Sequence, residues 1–218
     1  NLRQTADQLS TFGTASWHIT DLTKPRAGTE LVKQVIAQHG QIDILINNSG
    51  GPPSGPFLSH DETAWEQAIQ SNFLAAVDMT RAALQGMIDR RWGRIVNITS
   101  VSIKQPLDNL ILSNSSRMAV AGFAKTVARE VARFGITVNN ACPGHTRTER
   151  LQYLAEANAK ASGKTPDEVF ASWEKEIPAG RLGEPEEFAA LVAFLASQRA
   201  SYITGTSIQV DGGSVRGI

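Results

Sequence analysis

Short apolar runs recur along this chain, and each is followed by a stretch with helical spacing. Ile42 to Ile46, Ile95 to Ile98 and Ile136 to Asn140 are rich in β-branched residues and too short for helices. They read as strands, and so do Thr14 to Ile19 and Ser207 to Val210. The intervening stripes are helical: Leu31, Val32, Val35 and Ile36; Met118, Val120, Ala121, Phe123, Ala124, Val127, Ala128 and Val131; and Phe188, Leu191, Val192, Phe194 and Leu195. Strands alternating with helices predict an α/β fold with a doubly wound parallel sheet, Rossmann-like, in one domain over 1–218. Ligands of such sheets bind at the carboxyl ends of the strands.

The stretch from Arg94 to Lys125 sets the chemistry at one such end. Its strand ends at Thr99 and Ser100, so two hydroxyls stand at the sheet edge. The helix that begins near Leu112 carries Ser113 and Arg117, four apart and therefore on one face. A strand-end hydroxyl thus faces a second hydroxyl and a cation.

Other segments place polar groups at the same edge. Asp21-Leu22 follows the Thr14 to Ile19 run, and Asp21 also suits a helix N-cap. The Ile42 to Ile46 strand runs into Asn47-Asn48-Ser49-Gly50-Gly51, small residues that let a backbone approach a ligand closely. Asn47 and Asn48 suit side-chain bracing of neighbouring strands as well as ligand contact. Pro52 to Pro56 predicts a rigid loop. A long helix is expected from Asp61 to about Arg90, with Trp65, Ile69, Phe73, Val77 and Met79 keeping roughly helical spacing. Asn72 falls inside it, where propensity disfavours asparagine. Cys142-Pro143-Gly144 closes the Ile136 strand, with His145 and Thr148 just beyond. Residues 149–179 are polar with interleaved aromatics, and predict two amphipathic helices around Ser162-Gly163.

Composition narrows the function classes. Lys plus Arg and Asp plus Glu number 21 each, giving zero net charge. That argues against a nucleic acid or an anionic membrane as partner. Arg90, Arg91 and Arg94 around Trp92 read as a solvated helix end. No apolar run approaches the ~20 residues of a membrane span. The single Cys142 excludes an internal disulfide and suits a reducing, cytoplasmic setting. His18, His39, His60 and His145 lack metal-ligand spacing, so no metal is expected.

The stretch RIVNITS, the segment NNSG, and the C-terminal GRLGEPEE, SYITG and VDGG together resemble the short-chain dehydrogenase/reductase family, in particular members similar to 3-oxoacyl-acyl-carrier-protein reductases. The resemblance covers nearly the whole chain. It implies a catalytic set of Asn72, Ser100, Ser113 and Arg117, with Asn72 holding a water of a proton relay. Ser113 and Arg117 stand where the family has tyrosine and lysine. The resemblance also implies cofactor contacts from Asp21, Leu22, Asn48, Ser49, Gly50, Arg117, Pro143, Gly144 and Thr148, and a substrate lid at 149–179. The implied activity is an NAD- or NADP-dependent interconversion of a ketone, the 3-oxoacyl type included, and a secondary alcohol. The implied assembly is a homotetramer.

Two departures qualify this. No glycine-rich turn follows an opening strand, so roughly forty family residues are expected to precede Asn1. They would carry the selector of NAD against NADP, and without their first strand the sheet is expected to have an open slot at its centre. Serine is also a weaker acid than tyrosine, so the proton donor stays open among Ser113 with water, His145 and Tyr153. Arg117, with an expected pKa above ~12, can polarise an oxygen but cannot cycle a proton. A binding or scaffold protein that has lost the chemistry, and a diverted dehydratase or epimerase, are the alternatives.

Overall fold

A computed structural model describes residues 2–217. Helix α1 (Leu2–Leu9) and helix α2 (Ala27–His39) lead to strand β1 (Ile44–Asn47). A 3-10 turn at Phe57–Ser59 precedes helix α3 (Glu62–Ala68), a π-helical turn (Ile69–Leu74) and helix α4 (Ala75–Arg90). Strand β2 (Gly93–Ile98), helix α5 (Ile111–Val131) and strand β3 (Ile136–Pro143) follow. Helices α6 (Glu149–Ser162), α7 (Pro166–Glu176) and α8 (Pro185–Ala196) then lead to strand β4 (Ser207–Val210).

The four strands are parallel and contiguous, in the order β1-β2-β3-β4. The α/β class and the parallel sheet are as the alternation predicts. The central slot is not there. Thr14 to Ile19 is not a strand, and with Trp17 and Ile19 exposed it pairs with nothing. An extended segment without a ladder partner gains none of the bonds that hold a strand. The free backbone lies instead along the outer edge of β1.

Each face of the sheet has its own core. On one face, α2, α4 and α5 cover Leu45, Ile95, Ile136 and Val138, with Met79, Met87, Ala124 and Val131 packed between. On the other, α8 covers Val96 and Ala141 through Leu195. Ile44 and Ile46 point to this second face beyond α8, and both are exposed.

A side-chain ladder crosses all four strands at one level. Asn47, Asn97, Asn140 and Ser207 are register partners. Asn47 Nδ2 donates to Asn97 Oδ1 at 2.8 Å, Asn97 Nδ2 to Asn140 Oδ1 at 3.0 Å, and Asn140 Nδ2 to Ser207 Oγ at 3.0 Å. Asn47 Nδ2 also reaches Thr80 Oγ1 of α4 at 3.2 Å. Bracing is therefore what Asn47 does.

Arg94 corrects a second expectation. It is not a solvated helix-end residue: only 1% of its surface is exposed. Its guanidinium donates to the carbonyls of Gly93, Gly135 and Ser197 and to Gln198 Oε1, and lies over the Trp92 ring at 4.7 Å. Four acceptors compensate the buried charge, and the cation ties the start of β2 to the turn before β3 and the end of α8.

Helices α6 and α7 pack on each other over Ala155, Ala159 and Val169, with Phe170 and Trp173 bridging to Leu151, Ile177 and Leu182. A capping box, Thr165 with Glu168, and Pro166 in the first turn start α7. Gly163 between the two helices takes φ +69°, as a left-handed C-cap requires.

Candidate active site

Asn72 organises one side of the site. The helix expected from Asp61 to Arg90 is interrupted there by the π turn, a local widening common at functional positions. Asn72 is buried. Its Nδ2 donates to Ser49 Oγ at 2.7 Å and to the Gly50 carbonyl at 2.8 Å, and its Oδ1 accepts from Ser116 Oγ at 3.3 Å. The amide thus clamps the loop after β1 to α5.

Helix α5 supplies the other side. Ser113, Ser116 and Arg117 are three and four apart and share a face. Arg117 Nε donates to Ser113 Oγ at 3.1 Å, and Nη1 donates to the Ile98 carbonyl, the last of β2, at 2.8 Å. Protein crowds this guanidinium. Desolvation, then the nearby Arg150 cation, bring its pKa down to about 10. The sequence expectation of a value above ~12 is corrected, although the group stays cationic at neutral pH.

Ser113 Oγ accepts from Arg117, which leaves its own hydrogen to donate elsewhere. Ser100 Oγ accepts from the Ser102 N–H at 3.1 Å and closes a short 3-10 turn. Cys142 Sγ lies 3.2 Å from Thr99 Oγ1, and burial raises its thiol pKa, so it is neutral at neutral pH.

The remaining predicted positions fall at the same edge with mixed duties. Gly144 N–H donates to the Val210 carbonyl at 3.0 Å, and a Cβ there would stand 2.8 Å from Asp211 Cα. The chain passes too closely for any side chain. Pro143 ends β3. Thr148 caps α6 by accepting from the Leu151 N–H at 3.3 Å. Asp21 is exposed, and its carboxylate accepts from Thr23 N and Oγ1, bonds that lower its pKa. The N-cap of α2 is Arg26, so Asp21 does not cap that helix. Leu22 packs on the core. Asn48 is exposed at the end of β1.

Arg150 is the residue that sequence reasoning missed. It counts as one of many charges in the 149–179 stretch, and nothing in that pattern singles it out. In the fold, its Nη2 donates to the Pro52 carbonyl at 2.6 Å. Its guanidinium lies against Gly51, where a Cβ would come within 2.7 Å of Nε. The glycine is what admits it. Tyr153, a sequence candidate for the proton donor, lies under the Arg150 guanidinium at 5.1 Å.

His145 stacks on Trp173 of α7 at 4.8 Å. Burial depresses its pKa, and Glu176 offsets this by less. In the unfolded chain it takes a proton near pH ~6.5; in the folded protein, only at lower pH. The folded state is therefore favoured above about pH 6.5 and loses stability as pH falls from there toward the folded pKa. His145→Gln is expected to flatten this part of the stability profile. Urea unfolding of both proteins near pH ~7 and ~5 measures it; an unchanged slope would show that His145 is not the group responsible.

Together these elements define a doubly wound α/β protein whose polar site sits at the carboxyl ends of β1 to β3. A family model described as enoyl-(acyl carrier protein) reductase matches residues 1–215. The monensin polyketide synthase putative ketoacyl reductase of Streptomyces virginiae is 34% identical over 201 residues, covering 91% of this chain and 77% of that protein. The 3-oxoacyl-(acyl-carrier-protein) reductase of Vibrio cholerae is 35% identical over 195 residues, covering 88% and 75%. Among solved structures, a single-residue variant of actinorhodin polyketide ketoreductase with NADPH superposes with a TM-score of 0.93 at 31% identity, over 99% of this chain and 84% of that one. The L-sorbose reductase of Gluconobacter frateurii, complexed with NADPH and L-sorbose, gives 0.91 at 30% identity, over 100% and 84%. The chain belongs to the short-chain dehydrogenase/reductase family.

The residues present fit the nicotinamide-ribose end of such a cofactor. Gly50 has open space where a Cβ would stand, and the Asn48 amide is exposed beside it. Arg117 and Ser113 supply donors opposite. Among the described residues, no group of His, Cys, Asp and Glu could hold a metal ion, and no helix is long and apolar enough to cross a membrane.

Proposed function

We propose that the chain is an NAD(P)-dependent reductase that interconverts a small-molecule ketone and a secondary alcohol. NADP or NAD would supply the hydride. The observation that carries this reading is Arg117 held between Ser113 Oγ and the Ile98 carbonyl, a cation and a hydroxyl fixed at the end of β2. Such a pair stabilises an oxygen that gains negative charge as a carbonyl is reduced. Ser113, accepting from Arg117, keeps its hydrogen for that oxygen. Serine is too weak an acid to give up a proton unaided, so water replenishes it through the hydroxyl. Asn72 and Ser116 hold the loop after β1 at a fixed distance from α5. Helices α6 and α7 form the lid over the substrate.

Purified protein is mixed with NADPH or NADH and a panel of ketones, and the loss of reduced nicotinamide absorbance is followed. Turnover with at least one ketone is expected. A scaffold role is the second reading, favoured by one observation: the Asn72 amide is already bonded at both ends within the protein. Cofactor binding with no turnover of any ketone would select it.

A further inference from the structure

We propose that Arg117 and Arg150 form a receptor for an anionic group on the substrate, and that short 2- or 3-oxo acids and their hydroxy acids are the substrate class. This rests on the reductase reading above.

The two guanidinium groups come from different elements, α5 and the first turn of α6, and lie close enough to repel. The arginine ion pairs among the described residues involve Arg90, Arg147 and Arg181, never Arg117 or Arg150. The nearest potential anion, the Cys142 thiol, is neutral because burial raises its pKa. Two like charges partly withdrawn from water, with no counter-charge, are unfavourable. An anion seated between them removes the cost.

Their hydrogen-bonding capacity points the same way. Arg117 uses Nε and Nη1 on Ser113 and Ile98, and Arg150 uses Nη2 on Pro52. Arg117 Nη2 and Arg150 Nε and Nη1 donate to no protein atom among the described residues. Guanidinium forks match the oxygens of a carboxylate or phosphate. One guanidinium, Arg117, borders both Ser113 and Arg150. The anion it shares with Arg150 therefore lies a few bonds from the oxygen that Ser113 addresses, the spacing found in 2- and 3-oxo acids. Phosphate groups of the cofactor present the same chemistry, and the test separates the two sources.

Calorimetric titration compares acetoacetate with methyl acetoacetate, which share the ketone and differ in charge. The acid is expected to bind ten- to a hundred-fold tighter than the ester, with saturating NADPH present. Arg150→Gln is expected to abolish that preference, and Arg150→Lys to retain part of it. Equal binding of acid and ester by the parent protein, or no binding of either, overturns the proposal without reliance on any variant. So does displacement of acetoacetate by NADPH together with weaker NADPH binding in Arg150→Gln, which would assign the arginines to the cofactor. A preference for the acid with no NADPH oxidation sinks the reductase reading and leaves the receptor standing. Reduction of neutral ketones as fast as of oxo acids does the reverse.

Discussion

Asn97→Ala is expected to cost about 3–5 kcal/mol of stability, because it breaks the side-chain ladder at its centre. Asn97 is 1% exposed, accepts from Asn47 and donates to Asn140. Alanine strands an amide donor on one side and a carbonyl acceptor on the other, neither able to reach water. Each such orphan costs about 1–3 kcal/mol, and the cavity adds to it. Asn47 Oδ1 is already without a partner in the folded chain, so the ladder has no slack at that end. For a domain of this size the melting temperature is expected to fall by about 10 °C. Denaturant unfolding of both proteins measures the difference; a loss below about 1 kcal/mol would mean that the ladder is ornamental to stability.

Arg117→Ala is expected to lower turnover about 100- to 1,000-fold, the range seen when one preorganised donor to a developing oxyanion is removed. Its role begins with position. The Ile98 carbonyl and Ser113 Oγ hold two of its nitrogens, so the charge is fixed rather than swept through solvent. Loss of the side chain also frees the Ser113 hydroxyl to rotate. Ser113→Ala, which leaves the cation in place, is expected to cost about tenfold, the smaller part. Steady-state kinetics on the best ketone distinguishes the two. If Arg117→Ala changes turnover by only a few-fold, the reacting oxygen is held elsewhere. Arg117→Lys is informative too, because a lysine keeps the charge but cannot span both acceptors with one planar fork.

Most elements were legible because local pattern and burial agree in them. Ile95, Val96 and Ile98 make a buried strand by composition alone, and the α6 and α7 helices follow from the charges and aromatics of 149–179. Thr14 to Ile19 misled because strand propensity says nothing about whether a neighbour exists to pair with. Arg94 misled for a related reason. A cation beside two others reads as solvated, and its four acceptors come from residues up to 104 positions away. At the site, Asn72, Ser113 and Arg117 were found through spacing and resemblance. Arg150 was not, since its importance lies in a contact with Gly51 about a hundred residues earlier in the chain. Resemblance also could not say that Ser100 Oγ is engaged with its own 3-10 turn.

The π turn at Ile69–Leu74 has a consequence for length changes in the gene. Trp65, Ile69, Phe73 and Val77 follow one another at intervals of four. An α-helix turns 3.6 residues per cycle, so such a series drifts about 40° at each step and would slide off its buried stripe. The wider turn absorbs that drift within one coil. It amounts to one inserted residue, and α3 and α4 are phased around it. Deleting any single codon between 69 and 74 would heal the helix into a regular one while rotating everything before the lesion by roughly 100°. Trp65 and Ala68 would swing off their packing surface, and the Asn72 amide would turn away from Ser49. A frame-preserving deletion of three nucleotides here would thus be harsher than most substitutions, although the mutant helix would be the more ideal one.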